Sequence, residues 1–349
     1  MKILYAIQGT GNGHLSRAKE IIPLLQQKGD VDILVSGTQG DLSLEVPVKY
    51  KLKGLGFVFG KKGGVDLLRT YRESDLRGFI KDAKCLPVET YDLIINDFEP
   101  VSAWAAFFRN IPCIALSHQC AVVSPSAPVA PKKDLFGKRI LRHYAPSTAQ
   151  YGFHFSPFDE HTYTPVIRKE VRKLKVTDQG HYTVYLPAYG DNKLIDFLTR
   201  FKKIRWQVFS KHCKGHVFYK NVTIIPIEND AFLRSMASCS GILCGAGFET
   251  PAEALYLGKK LMVVPMKHQY EQHCNAAALE SLGVPALKNL KDTQSPLVEE
   301  WIQSDRVIQV DYPDLTEKII NRIIEEHLYD VHHSRSLQSF FGYANAKIK

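Results

Sequence analysis

Twice along this chain, short apolar runs without polar–apolar alternation take turns with amphipathic stretches, and the second series begins after a polar gap. A strand that is apolar on both faces is covered on both faces, as in a parallel sheet between layers of helices. In the first series Lys2 to Ile7, Val31 to Val35, Leu93 to Ile95, Ile111 to Leu116 and Tyr151 to Pro157 read as strands. His14 to Gln27 and Pro100 to Arg109 read as helices. The second series has strands at His181 to Leu186, Trp206 to Phe209, Val222 to Ile227, Gly241 to Cys244 and Leu261 to Val264, with a helix at Asn192 to Phe201. Two such arrays predict a two-domain α/β protein: residues 1–160, a linker at 161–180, and residues 181–328. Tyr329, Phe340, Phe341 and Tyr343 in the last segment, 329–349, suit a helix docking back onto the first domain. Ligands in sheets of this kind bind beyond the carboxyl ends of the strands, here in the cleft between domains.

Composition narrows the class of partner. No apolar run is long enough to span a membrane, and the first one stops at Gln8, too short for a signal peptide, so a cytoplasmic location is expected. The 7 cysteines are odd in number and contain no CxxC pair, which argues for structural thiols over a disulfide framework. A net charge of +9 points to an acidic partner: phosphate groups, an anionic membrane surface or nucleic acid. The absence of nucleic-acid-binding motifs weakens the last of these, and no nucleic acid is expected as a partner.

The run GAGFETPAE from Gly245 to Glu253 follows a strand and opens a helix. Thr250 and Pro251 suit the N-cap and first helical positions, and Gly258 suits the C-terminal stop. A glycine turn feeding a helix N-terminus presents backbone N–H groups and a positive dipole end to a diphosphate. Glu253 has two readings: the return bond of a capping box with Thr250, or a carboxylate that accepts from both ribose hydroxyls. The next strand and loop lead into MKHQYEQHCN, where Glu271, Gln272 and Asn275 open another helix on the same cleft. A carboxylate beside an amide can accept from and donate to sugar hydroxyls.

Gly247, Thr250, Glu253, Pro265, Gln272 and Asn275 together resemble the donor signature of GT-B glycosyltransferases. The nearest groups are glycosyltransferase family 28 (the bacterial muramyl-peptide N-acetylglucosaminyltransferases) and the UDP-glycosyltransferases. The resemblance implies two Rossmann-like domains with parallel sheets facing a central cleft. It implies that Glu253 binds ribose, and that Glu271 with Gln272 binds the donor sugar. Thr250 and the turn of Gly245, Ala246 and Gly247 would bind the diphosphate, and Ile227 would offer backbone groups to the base. Many UDP-glycosyltransferases place a histidine where this chain has Gly245, which leaves more of the phosphate binding to backbone amides.

The N-terminal run QGTGNGHLSRA has glycines at 9, 11 and 13, which is not the dinucleotide fingerprint, and the second strand ends without an acid for an adenosine ribose. It resembles the acceptor-side loop of family 28, with Gly11 and Gly13 beside the donor and Asn12 in place of a glycine. His14 at the helix start is then either a general base for an acceptor hydroxyl or a capping and phosphate-contacting residue. Asp97 matches the aspartate that orients such a base, and otherwise serves the N-terminus of the following helix. His118, after the next strand, is a competing base or acceptor contact.

These readings predict an inverting, metal-independent glycosyltransferase that moves a sugar from a nucleoside-diphosphate donor, UDP-linked, to an acceptor hydroxyl, with no cofactor. The alternatives are an enzyme like the UDP-N-acetylglucosamine 2-epimerases of the same fold, or a non-catalytic nucleotide-sugar-binding protein. Asp30 and Asp32 form a DxD that reads as a solvated turn, and His212, Cys213 and His216 lack a full ligand set for zinc. The acceptor is not specified; a lipid-linked molecule or a glycan fits. The aromatic and basic loop Gly54 to Tyr71, with Lys132 to Arg142, suits peripheral contact with an anionic membrane at its inner face.

Overall fold

The computed structural model describes residues 1–37, 44–55, 75–129 and 134–328, with the backbone of 59–60 and 64–65. Most of the loop Gly54 to Tyr71, Lys132 and Lys133, and the segment 329–349 lie outside the described residues.

Among the described residues the first large sheet runs in the order β3-β2-β1-β6-β7-β8-β9. Its strands are β1 (Lys2–Gln8), β2 (Asp30–Ser36), β3 (Tyr50–Leu52), β6 (Leu93–Asp97), β7 (Ile114–Ser117), β8 (Ala149–Phe153) and β9 (Thr162–Tyr163); β4 (Phe59–Gly60) and β5 (Gly64–Val65) form a separate pair. Every pairing in the large sheet is parallel. Ile3, Leu4, Tyr5, Ala6 and Ile7 are all fully buried, which is why β1 carries no alternation. β9 lies in the stretch read as linker, because two residues are too few to show a pattern.

The second sheet runs β12-β13-β11-β10-β14-β15, from β10 (His181–Tyr185), β11 (Arg205–Ser210), β12 (Val217–Tyr219), β13 (Val222–Pro226), β14 (Gly241–Gly245) and β15 (Lys260–Val264). All its pairings are parallel except β12 with β13. In both sheets the strand order reverses at the first strand of the array, β1 and β10, so crevices open beyond their carboxyl ends. The loops there hold Gly9 to Gly13 in one domain and Gly245 to Gly247 in the other.

The helix Asn12–Gln26 starts ahead of the expected His14 because Gly11, at φ 96°, makes the turn alone. It buries Leu15, Ala18, Ile21, Ile22 and Leu25 along one face of helical spacing. The chain's return to the first domain is made by the helix at 316–328. That helix buries Ile319, Ile320 and Ile323, and Arg322 donates to Glu160 O at 2.7 Å and to Tyr163 Oη at 2.9 Å. Of the cysteines, 113, 120, 239, 244 and 274 are buried and reduced. No described helix is long and apolar enough to cross a membrane.

Candidate active site

The N-terminal turn places His14 and Arg17 at i and i+3, on one face of the helix Asn12–Gln26. Both reach Asp97 at the end of β6. His14 Nδ1 lies 2.7 Å from Asp97 Oδ1, while Arg17 donates through Nε at 3.0 Å and Nη2 at 2.8 Å. Asp97 is fully buried; burial alone raises its carboxyl, but Arg17 and His14 hold it below its ordinary value. Its alternative role at the next helix falls to Glu99, whose carboxylate accepts from Val101 N at 2.7 Å and Ser102 N at 2.6 Å. Phe98 sits between them at φ 58°, a left-handed conformation unusual for an aromatic residue. Its ring stacks on Tyr144 at 4.7 Å and parallel to His14 at 6.4 Å, which holds that turn in place.

Arg17 then crosses to the second domain, where its Nη1 pairs with Glu249 Oε1. Glu249 heads the helix Glu249–Tyr256, and burial pushes its carboxyl up to about 7 against the pull of Arg17. This start corrects the expected capping. Phe248 is the N-cap and Thr250 already lies inside the helix, so Thr250 and Glu253 form no capping box. Gly258, at φ 62°, follows the helix end as expected. Glu253 is 3% exposed and is gripped by Arg168, whose Nε and Nη2 donate to its two oxygens at 2.5 and 2.8 Å.

Arg168, Glu253, Thr250, Gly247, Ile227 and Gly13 share the wall of an interdomain cleft of about 570 Å³. A Cβ added at Gly247 meets nothing within 4 Å, so the turn is open on that side. A Cβ at Gly245 comes no nearer than 3.9 Å to Gln272 Oε1, so the backbone here has room for a side chain. Ile227 donates its N–H to Ser210 O at 3.2 Å, so of its backbone groups the N–H is already engaged.

The helix Tyr270–Ser281 contributes Glu271 and Gln272 in its first turn. Gln119 Nε2 donates to Glu271 Oε2 at 3.2 Å, and Gln272 Oε1 accepts from Met266 N at 2.9 Å. Burial raises the Glu271 carboxyl, opposed by the Gln119 bond. Asn275 is fully buried and ties the domains together: its Nδ2 donates to Ala246 O at 3.1 Å and its Oδ1 lies 2.7 Å from His118 Nε2. It shapes the glycine turn through Ala246 and does not line the cleft.

His118 is the clearest departure from expectation. It is 1% exposed, its Nδ1 is 2.8 Å from Phe153 O, and its ring stacks on Phe248 at 3.8 Å. With one nitrogen at Phe153 O and the other at Asn275 Oδ1, it is a buried contact between domains and not an open base. Sequence reasoning passed over Arg17, Gln119, Glu249 and Arg168. Arg17 had one local signal, its i+3 spacing from His14; the others are defined by contacts with residues far away in sequence. Asp32 of the DxD pair is occupied by Lys49 at 2.5 Å and Tyr91 at 2.7 Å. No group of three or more metal-ligating side chains is gathered among the described residues.

Two parallel-sheet domains that face a cleft, with glycine turns of both on its walls, define a GT-B fold. Residues 1–304 match the family model described as glycosyl transferase family 1, and the chain belongs to that family. It is a glycosyltransferase. No curated protein matches it. MurG of Acinetobacter baumannii shares the fold at TM-score 0.54 and 16% identity, over 93% of this chain and 99% of that one. MnaA of S. aureus, solved with UDP, superposes at TM-score 0.59 with 10% identity, covering 94% and 97%. UGT2 of Phytolacca americana, solved with UDP-2fluoro-glucose and pterostilbene, gives 0.53 with 12% identity, covering 95% and 93%.

Proposed function

We propose that the chain transfers a sugar from a UDP-linked donor to an acceptor hydroxyl by one inverting displacement, without a metal ion. The observation that carries this reading is the His14–Asp97 pair, which faces Glu271 of the other domain through Gln119. Asp97 accepts from Nδ1 of His14, so Nε2 keeps its lone pair for the acceptor proton. The hydroxyl oxygen attacks the anomeric carbon as the bond to the diphosphate oxygen breaks, and the proton passes to Nε2. The leaving diphosphate gains charge at the turn of Gly245, Ala246 and Gly247, where Thr250 and the N-terminus of the helix Glu249–Tyr256 stabilise it. With no enzyme nucleophile in the sequence of steps, configuration inverts. Glu271 and Gln272 read the sugar, and Glu253 takes the ribose hydroxyls by sharing its carboxylate with Arg168. The UDP in the Staphylococcus and Phytolacca structures supports a uridine donor.

The test is a titration of wild type and Glu253→Ala with a panel of nucleotides and nucleotide sugars. UDP is expected to bind the variant about tenfold or more weakly, the loss of hydrogen bonds to a charged acceptor. Equal affinity in both proteins removes Glu253 from the ribose. Turnover of a sugar nucleotide with no acceptor present would move the reaction to an epimerase.

A separate observation bears on the acceptor. The helix Leu135–His143 leaves Leu135 76% and Phe136 61% exposed beside the basic Lys138, Arg139 and Arg142. Its other side holds Leu141 against Val122, Tyr270 and Cys274 of the interdomain contact. Apolar tips among cations suit an anionic membrane, from which a lipid-linked acceptor reaches the cleft. Co-sedimentation with phosphatidylglycerol vesicles at low salt is expected, lost at high salt and in Leu135→Ser/Phe136→Ser. Equal partition with neutral phosphatidylcholine vesicles counts against it.

A further inference from the structure

Gln119 joins the two halves of the site, and one of its atoms has no partner. It lies on the helix His118–Val122 and is 6% exposed. Its Nε2 is 3.2 Å from Glu271 Oε2 and 3.4 Å from His14 Nε2. Because Asp97 takes the Nδ1 proton of His14, the Nε2 of that ring is an acceptor, and Gln119 donates to both groups. Its carbonyl oxygen Oε1 is buried without a hydrogen-bond partner. Buried carbonyls are ordinarily paired, so an orphan inside a site calls for an explanation. Turning the amide over does not supply one, since Oε1 would then face the Glu271 carboxylate and the imidazole lone pair.

We propose that Gln119 positions the base and reads the transferred sugar at the point where the two substrates meet. Its N–H covers the lone pair of His14 until the acceptor hydroxyl takes that place. Its Oε1 accepts a hydrogen bond from a hydroxyl of the transferred sugar, completing with Glu271 a pair of acceptors joined by one amide. The inference rests on the donor site described above, and it explains why the orphan oxygen is tolerated: the substrate hydroxyl is its partner.

Calorimetric titration of wild type, Gln119→Leu and Gln119→Asn with UDP, UDP-glucose and UDP-N-acetylglucosamine tests the sugar contact. UDP is expected to bind all three proteins alike. The sugar nucleotides lose about tenfold in Gln119→Leu, the worth of one buried hydrogen bond, and less in Gln119→Asn. Sugar nucleotides that bind the leucine variant as tightly as wild type overturn the contact. Nitrogen NMR of the histidine rings reads the other half without any substrate. In Gln119→Leu the His14 Nε2 resonance moves to the position of an imine nitrogen that accepts no hydrogen bond, and an unmoved resonance overturns the hold on His14. If wild type binds no nucleotide, the donor reading falls and takes the sugar contact with it, while the NMR result still decides what Gln119 does to His14.

Discussion

Replacing His14 with glutamine is expected to cut sugar transfer by about a thousandfold, within the range general bases contribute, while UDP affinity stays unchanged. The asymmetry follows from where the residue stands. His14 Nδ1 is spent on Asp97 at 2.7 Å, and Nε2 faces the amide of Gln119, so in the proposed mechanism it meets the acceptor and not the donor diphosphate. A group that touches only the attacking hydroxyl affects the chemical step, so the loss belongs in kcat and not in donor binding. Glutamine keeps a polar side chain of comparable reach and leaves Asp97 with Arg17, whose Nε and Nη2 hold both carboxylate oxygens. Transfer within tenfold of wild type would exclude His14 as the base and leave its contact with Asp97 a structural one. Single-turnover rates measured beside UDP titrations separate the two outcomes.

Much of the fold was legible because its determinants are local. β1 is apolar on every side chain from Ile3 to Ile7, and that run declares a strand buried on both faces without reference to anything distant. The glycine turns were legible for the same reason: Gly11 at φ 96° and Gly258 at φ 62° adopt conformations that other residues resist. The site was less legible, because its residues are defined by partners far away in sequence. Arg17 and Glu249 are 232 positions apart, and nothing beside either announces the other. Without the pair, Glu249 reads as an ordinary first-turn acid and Arg17 as a surface cation on an amphipathic helix. His118 misleads in the opposite direction. A histidine after a strand at a carboxyl edge reads as open to the crevice, and only the docking of Phe248 and Asn275 from the other domain seals it. Thr250 misleads for a smaller reason. Its residue type suits an N-cap, yet the chain turns into helix at Glu249, where Arg17 holds the carboxylate.

Arg17 is the residue on which the electrostatics of this core turn, and its removal carries the largest expected effect on stability. It is 2% exposed and lies between Asp97, which is fully buried, and Glu249. Taking away one partner of a buried ion network strands the others without compensation, at a cost of about 3–5 kcal/mol. Arg17→Met keeps the aliphatic volume and removes the cation, so the loss is chiefly electrostatic. Its pH dependence has a definite sign. Glu249 is already held at about 7, above its ordinary 4.5, so its stabilising share is present at low pH and is lost as pH rises through about 7. Asp97 behaves oppositely in the wild type: burial raises it, but Arg17 and His14 bring it below its ordinary 3.8, so its share persists above that value and is lost only in stronger acid. Without Arg17, each carboxyl loses the largest group that opposes its burial and shifts upward, so the deficit against wild type grows as pH rises. Urea unfolding of the variant is therefore expected to show the full loss near about pH 8 and a much smaller one near about pH 5, where protons replace the missing cation. Adding Glu249→Gln to Arg17→Met should recover part of the deficit at the higher pH, because one of the two stranded charges is gone. An equal deficit at both pH values would mean that Arg17 acts through packing alone, and that the two domains are not joined by charge at this point.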